Sequence, residues 1–245
     1  MIKAGNLIKI ELYRFFHSIA IIKYVVIIPL ILFFMSYLNI SYLGNEFSDA
    51  MVWASMSSVF LYLLALICVI IAVYAGREFQ FKTINYEVMR GYGFCEIAFS
   101  KTISCGVLVP AILLICMVIY LIIFQEPLCE DFFLRVLLIF LLLVHIASCS
   151  MLYVLLCRNG VVGASIAFGR FLVLETVVQM AAGRFVSVHA GELIMKMNVF
   201  NQWYELIAVE TVLSKEFMIC IFMSAAAEYG ILMGILKWKS GRTDM

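Results

Sequence analysis

Apolar runs of about twenty residues recur along this chain, and no other feature restricts its fold as strongly. A helix of that length crosses roughly 30 Å of hydrocarbon. Six such runs stand out, at residues 19–38, 51–75, 102–124, 132–157, 161–182 and 217–236. Inside a bilayer every backbone amide and carbonyl must be paired internally, so a spanning segment is either a helix or part of a closed barrel. Barrel strands alternate apolar and polar residues over about ten positions, whereas these runs are continuous. Only 13% of residues are charged, and the mean hydropathy is +1.09; soluble domains average about 25% charged. The expected class is all-α: a polytopic membrane protein with six transmembrane helices in one domain, residues 1–245. The first run is too long for a cleaved signal and lacks a small-residue cleavage site.

Loop charges set an orientation. With the N-terminus inside, the inner segments hold Lys3, Lys9, Arg14, Arg77, Lys82, Arg90, Lys101, Arg158, Lys237, Lys239 and Arg242. The outer ones hold only Arg135, Arg184, Lys196 and Lys215. This positive-inside bias predicts that both termini are cytoplasmic. Six of the eight cysteines (Cys68, Cys105, Cys116, Cys149, Cys157 and Cys220) lie within or at the ends of apolar runs, and none forms a C-x-x-C pair. They are expected to be small buried hydrophobes rather than a disulfide or metal framework.

Residues 2–18 form an amphipathic segment. At helical spacing Ile8, Leu12, Phe15, Phe16 and Ile19 share one face, with Lys3, Asn6, Lys9, Arg14 and His17 opposite. Such a helix lies in the membrane interface, its basic face toward anionic headgroups. The fourth and fifth runs are joined only by Arg158-Asn159-Gly160, a tight helical hairpin. Residues 183–216 mix apolar patches with Glu192, Lys196, Glu205, Glu210 and Glu216. They are expected to form short re-entrant helices in the outer leaflet, buried against protein.

Two charges interrupt the fifth run. Arg170 falls near mid-bilayer, where a charge costs at least about 2.5–3.5 kcal/mol and must face protein or water. Glu175 follows five residues later, about 140° around an α-helix, so the two are not expected to pair within their own helix. His145, in the fourth run, or a second subunit are the expected partners. Arg170, Glu175 and His145 are candidates for a polar translocation path, or for an interhelical ion pair. No H-E-x-x-H, G-x-S-x-G or other catalytic constellation is present, so no catalytic or metal-ligating residue is assigned. A phosphate loop needs G-x-x-x-x-G-K-[ST]. The nearest fragment, GILKWKS at 234–240, has Trp238 in place of the second glycine. No basic stripe interleaved with aromatics points to nucleic acid.

The densest charge lies between the second and third runs, in GREFQFKTINYEVMRGYGFCEIAFSK, residues 76–101. Here Glu78-Phe79, Thr83-Ile84, Asn85, Gly91 and Lys101 follow the order Glu-Phe, Thr-[Ile/Leu/Val], Asn, Gly, Lys. With the amphipathic N-terminal helix, six runs and the long segment before the last, the chain resembles the permease subunit of type-2 ATP-binding-cassette exporters. It is closest in layout to the small permeases of lantibiotic or bacteriocin immunity and antimicrobial-peptide efflux. It departs from that pattern at Lys82, where the family often has Gly, and near Glu96, where it often has Arg. The resemblance implies that residues 76–101 form a cytoplasmic coupling loop seated in a groove of an ATPase subunit. Glu78, Phe79, Thr83, Ile84, Asn85, Glu87, Val88, Arg90 and Gly91 would carry the contact, with Tyr92 and Phe94 adding apolar anchors.

The resemblance also implies two ATPase copies that bind ATP and Mg, a second permease chain, identical or related, and a bacterial cytoplasmic membrane. The substrate would be hydrophobic or amphipathic, a peptide or a drug, and this chain would itself hold no cofactor. The rival readings are a membrane anchor or sensor that docks an ATPase without transport, and a membrane-embedded enzyme. The charge count generates a direct expectation. A membrane-impermeant thiol reagent applied to whole cells should label Cys introduced at Gly44 or Ala190, and should leave Cys at Lys82 or Lys239 untouched. Labelling of the second pair would reverse the orientation.

Overall fold

The computed structural model describes residues 2–18, 25–35, 49–123, 131–185, 188–208 and 213–243. Among these residues the chain is helical throughout, with no strand. The helices are α1 Ile2–His17, α2 Val25–Met35, α3 Asp49–Gln80, α4 Thr83–Met89, α5 Phe94–Ile123, α6 Phe132–Cys157, α7 Gly160–Gly169, α8 Glu175–Phe185, α9 Val188–Met197, α10 Val199–Ile207 and α11 Lys215–Thr243. A π-helical turn, Arg170–Leu174, joins α7 to α8.

Five stretches are long and apolar enough to cross a membrane: Val59–Gln80, Phe94–Ile122, Phe132–Cys157, Gly160–Ala181 and Lys215–Trp238. They match the second to sixth predicted runs, with the fourth matching end to end. Of the first run only Val25–Met35 is described, and residues 19–24 and 36–38 lie outside the described set. Phe33 of α2 stacks on Tyr120 of α5, ring centres 5.3 Å apart.

α6 occupies the centre, packed against α3, α5, α7, α10 and α11. Its buried residues include Leu138, Leu142, Ile146, Met151 and Leu155, spaced so that much of the helix circumference faces protein. A helix apolar all round is a core helix, and α6 fits that description. α7, α8 and α11 contrast with it. They present Val161, Val177, Met180, Phe222, Met223 and Ile231 outward, the apolar exterior expected of chain that meets lipid or another subunit.

The segment before α11 folds back onto the bundle. Trp203 of α10 is fully buried and stacks on Phe60 of α3 at 4.6 Å. Arg135, which the loop count placed among the outer charges, is buried and donates from Nη1 to the carbonyls of Leu206 (3.0 Å) and Ala208 (2.9 Å). It thereby satisfies the C-terminal carbonyls of α10 and favours the negative end of its dipole.

The hairpin between α6 and α7 needs small residues. Asn159 caps α7, accepting from the amides of Val161 (3.0 Å) and Val162 (3.2 Å). A Cβ at Gly160 would stand 2.4 Å from the Ala72 carbonyl oxygen and 2.7 Å from Gly76 Cα. This is a backbone-to-backbone approach of α3 and α7, a small-residue contact typical of membrane helix pairs. Gly160→Ala should therefore destabilise the protein by about 1–3 kcal/mol through overpacking. Gly169→Ala, where a Cβ meets nothing within 4 Å, should be neutral or slightly stabilising. Thermal melts of the two variants in detergent separate the outcomes.

Candidate functional site

Two buried charge networks organise the molecule. The first surrounds the elbow between α3 and α5. Leu7, Glu11 and Phe15 form the buried stripe of α1, at spacing i, i+4, i+8. The Glu11 carboxylate meets Lys101 Nζ of α5 at 2.7 Å and accepts from the Tyr74 hydroxyl of α3 at 2.7 Å. Lys101, itself fully buried, also pairs with Glu78, and Arg14 pairs with Glu11 (3.1 Å), Glu78 (3.6 Å) and Glu87. Burial works against the Arg14 charge. The hydrogen bond with Glu87 and the three surrounding carboxylates outweigh it and raise the Arg14 pKa above its ordinary value. Three acids and two bases thus bind α1, α3, α4 and α5 together.

The predicted 76–101 loop is consequently mostly helix. α3 continues through Glu78 and Phe79 to Gln80, α4 is a single short helix, and α5 begins at Phe94. Lys82 (φ 55°) and Gly91 (φ +83°) adopt left-handed backbone at the two turns, a conformation that glycine takes without a Cβ penalty. The candidate coupling residues divide by side. Ile84 and Glu87 are buried, Phe79 packs against the core, and Thr83 bonds the Glu78 carbonyl at 3.3 Å. Asn85, Val88, Arg90 and Gly91 face outward with Phe81, Tyr86 and Met89. Glu78 and Glu87 are therefore engaged inside the chain.

The second network lies between α6, the π turn, α8, α10 and α11. Here the structure corrects one expectation: Arg170 and Glu175 do pair within one helical segment. The reason is local. The π turn closes with i→i+5 hydrogen bonds, which brings residues five apart to the same side instead of splaying them by 140°. Glu228 of α11 completes the site. Arg170 Nε lies 2.7 Å from its Oε1 and Nη2 donates to its Oε2 at 2.8 Å, while His145 Nε2 lies 3.1 Å from Oε2. Tyr153 donates to Oε1 at 3.4 Å. Glu175 reaches onward: its Oε2 accepts the Val199 amide at 2.9 Å and its carbonyl accepts from Asn198 Nδ2 at 3.1 Å. A carboxylate at the N-terminus of α10 suits the positive end of that helix.

All three intramembrane candidates, His145, Arg170 and Glu175, thus converge. Glu228 was missed by the sequence reading, although it meets the same criterion as Arg170, a charge well inside an apolar run. Glu11 was missed as well, and its signal was an acid between Leu7 and Phe15 on the apolar face. The network forms the polar wall of a cavity of about 410 Å³, otherwise lined mostly by apolar residues including Leu174, Val178, Ile194 and Ile231. A mostly apolar cavity with a few convergent polar groups is the usual form of a small-molecule site.

No protein-family model and no curated protein sequence matches this chain. The network itself makes a prediction. Glu228→Ala leaves Arg170 short of a partner in a low-dielectric setting and should cost roughly 3–5 kcal/mol of stability. Deleting Val173, which returns the π turn to α-helical register, should separate Arg170 from Glu175 and also lower the melting temperature. A deletion variant that melts like wild type would show that the pairing does not depend on the π turn.

Proposed function

We propose that this chain is the membrane-spanning permease subunit of an ATP-binding-cassette exporter, moving a hydrophobic or amphipathic substrate with ATP hydrolysed by a separate ATPase subunit. The observation that carries this reading is the α3–α4–α5 elbow. A short helix, held rigidly by buried ion pairs, turns an exposed face outward between two long apolar helices. Met89 is 82% exposed, Phe81 72% and Tyr86 64%, a density of bare apolar and aromatic side chains that suits a protein partner's groove. The cavity beside Arg170 and Glu228, apolar with one polar wall, is compatible with an amphipathic substrate. In this assignment the first apolar run, of which Val25–Met35 is described, completes a set of six spans, and α9 and α10 are the re-entrant helices. Both termini are cytoplasmic in a bacterial membrane, and the apolar faces of α8 and α11 meet lipid or a second permease chain.

The elbow geometry revises which residues test the docking. Glu78 and Glu87 bind Lys101 and Arg14, so reversing their charge should loosen the permease itself. Tyr86→Asp combined with Met89→Asp alters only the outward face. That double variant should insert and melt like wild type and yet lose the ATPase on co-purification, whereas Glu87→Lys should lower the permease melting temperature. Unchanged ATPase capture by the Tyr86/Met89 variant would remove the elbow from the interface and with it the main support for the permease reading. ATP-dependent substrate movement in vesicles containing both subunits separates transport from mere anchoring.

A further inference from the structure

His145 and Cys149 lie four residues apart on α6, so their side chains leave the same face of the helix. That is the face on which α11 brings Glu228 against His145. One ligating atom from each of the three, an imidazole nitrogen, the thiol sulfur and a carboxylate oxygen, lies within 4.8 Å of the others. We infer that His145, Cys149 and Glu228 form a binding site for a divalent transition-metal ion.

Geometry and charge both support it. His145 Nε2 and Glu228 Oε2 are 3.1 Å apart. Two donors held about 2.0–2.1 Å from one tetrahedral ion stand about 3.3 Å apart, so an ion can replace the shared proton with little movement of either residue. The second imidazole nitrogen, Nδ1, is buried without a hydrogen-bond partner, and His145 as a whole is only 4% exposed. With Nε2 on the ion, the displaced ring proton moves to Nδ1 and the imidazole stays neutral. In charge, Glu175 and Glu228 bring two negatives against one positive from Arg170. Ligation by the Cys149 thiolate adds a third negative, and a divalent ion then brings the sum to zero; the thiol proton is released on binding.

The donor set selects the ion. Nitrogen, sulfur and oxygen together suit zinc and its neighbours, whereas calcium and magnesium take oxygen ligands. Three protein ligands leave one tetrahedral position for water or a further donor, and the adjoining cavity of about 410 Å³, which His145 and Glu228 help to line, gives access to it. Arg170 spans both oxygens of Glu228, its Nε 2.7 Å from Oε1 and its Nη2 donating to the ligating Oε2 at 2.8 Å, and so orients the carboxylate from outside the coordination sphere. The other acid-rich cluster, Glu11, Glu78 and Glu87, carries no such inference because Lys101 and Arg14 already engage all three carboxylates.

The site stands independently of the transport reading, and its test needs only the full-length protein in detergent. Chelator-stripped protein is titrated with Co²⁺ and then Zn²⁺. One Co²⁺ per chain should bind with a sulfur-to-cobalt charge-transfer absorption, Zn²⁺ should displace it, and Zn²⁺ should raise the melting temperature. Cys149→Ser leaves the Arg170–Glu228–Glu175 contacts in place, so the variant should fold. It should abolish the charge-transfer band and weaken Zn²⁺ binding by more than about tenfold. Cys116→Ser on α5 should change neither. Failure of the wild-type protein to take up stoichiometric Co²⁺, or a band that survives Cys149→Ser, would overturn the site.

Discussion

A guanidinium placed among apolar helices has to be neutralised where it stands, and the packing of this protein's second half follows from that requirement. Arg170 lies within a stretch long and apolar enough to span a bilayer, where an unpaired charge costs several kcal/mol. Its two carboxylate partners come from different elements, Glu175 at the start of α8 and Glu228 on α11. Satisfying both fixes the azimuth of α11 against α6 and fixes the helical register between α7 and α8. Glu175 then extends the same constraint to α10 through the Val199 amide. Four elements are located by one charge and its two counter-charges.

The π turn is the local response to this constraint. An uninterrupted α-helix would point Arg170 and Glu175 in directions about 140° apart, leaving one of them toward lipid. Widening a single turn costs some hydrogen-bond quality but retains both charges on the protein side. Single π turns of this kind are found frequently at functional sites, and this one borders the cavity beside Glu228.

The elbow network solves the same problem at the other position. Lys101 is wholly buried and is matched by Glu11 and Glu78, while Arg14 reaches Glu87 on α4. Removing one partner from such a network leaves uncompensated charge, so its members act as a unit. The result is a rigid base from which Phe81, Tyr86 and Met89 project.

Much of the architecture was legible in the chain before folding. The apolar run 132–157 coincides with α6, and the brief Arg158-Asn159-Gly160 link correctly implied a hairpin, because run length and turn residues act locally. Three members of the second network, His145, Arg170 and Glu175, were likewise visible as polar residues in apolar runs. Their partnerships were not. Periodicity assumes a regular helix, so it separated Arg170 from Glu175 where the π turn joins them. Charge counting treats each loop residue as facing water, so it put Arg135 outside where α10 buries it, and the family resemblance assigned Glu78 and Glu87 to a partner where Arg14 and Lys101 hold them. The sequence by itself determined the helices and the residues that must find partners, because both follow from the cost of exposing backbone and charge to hydrocarbon. Only the tertiary structure decided which partners those were, since pairing depends on the rotation and depth of helices far apart in the chain.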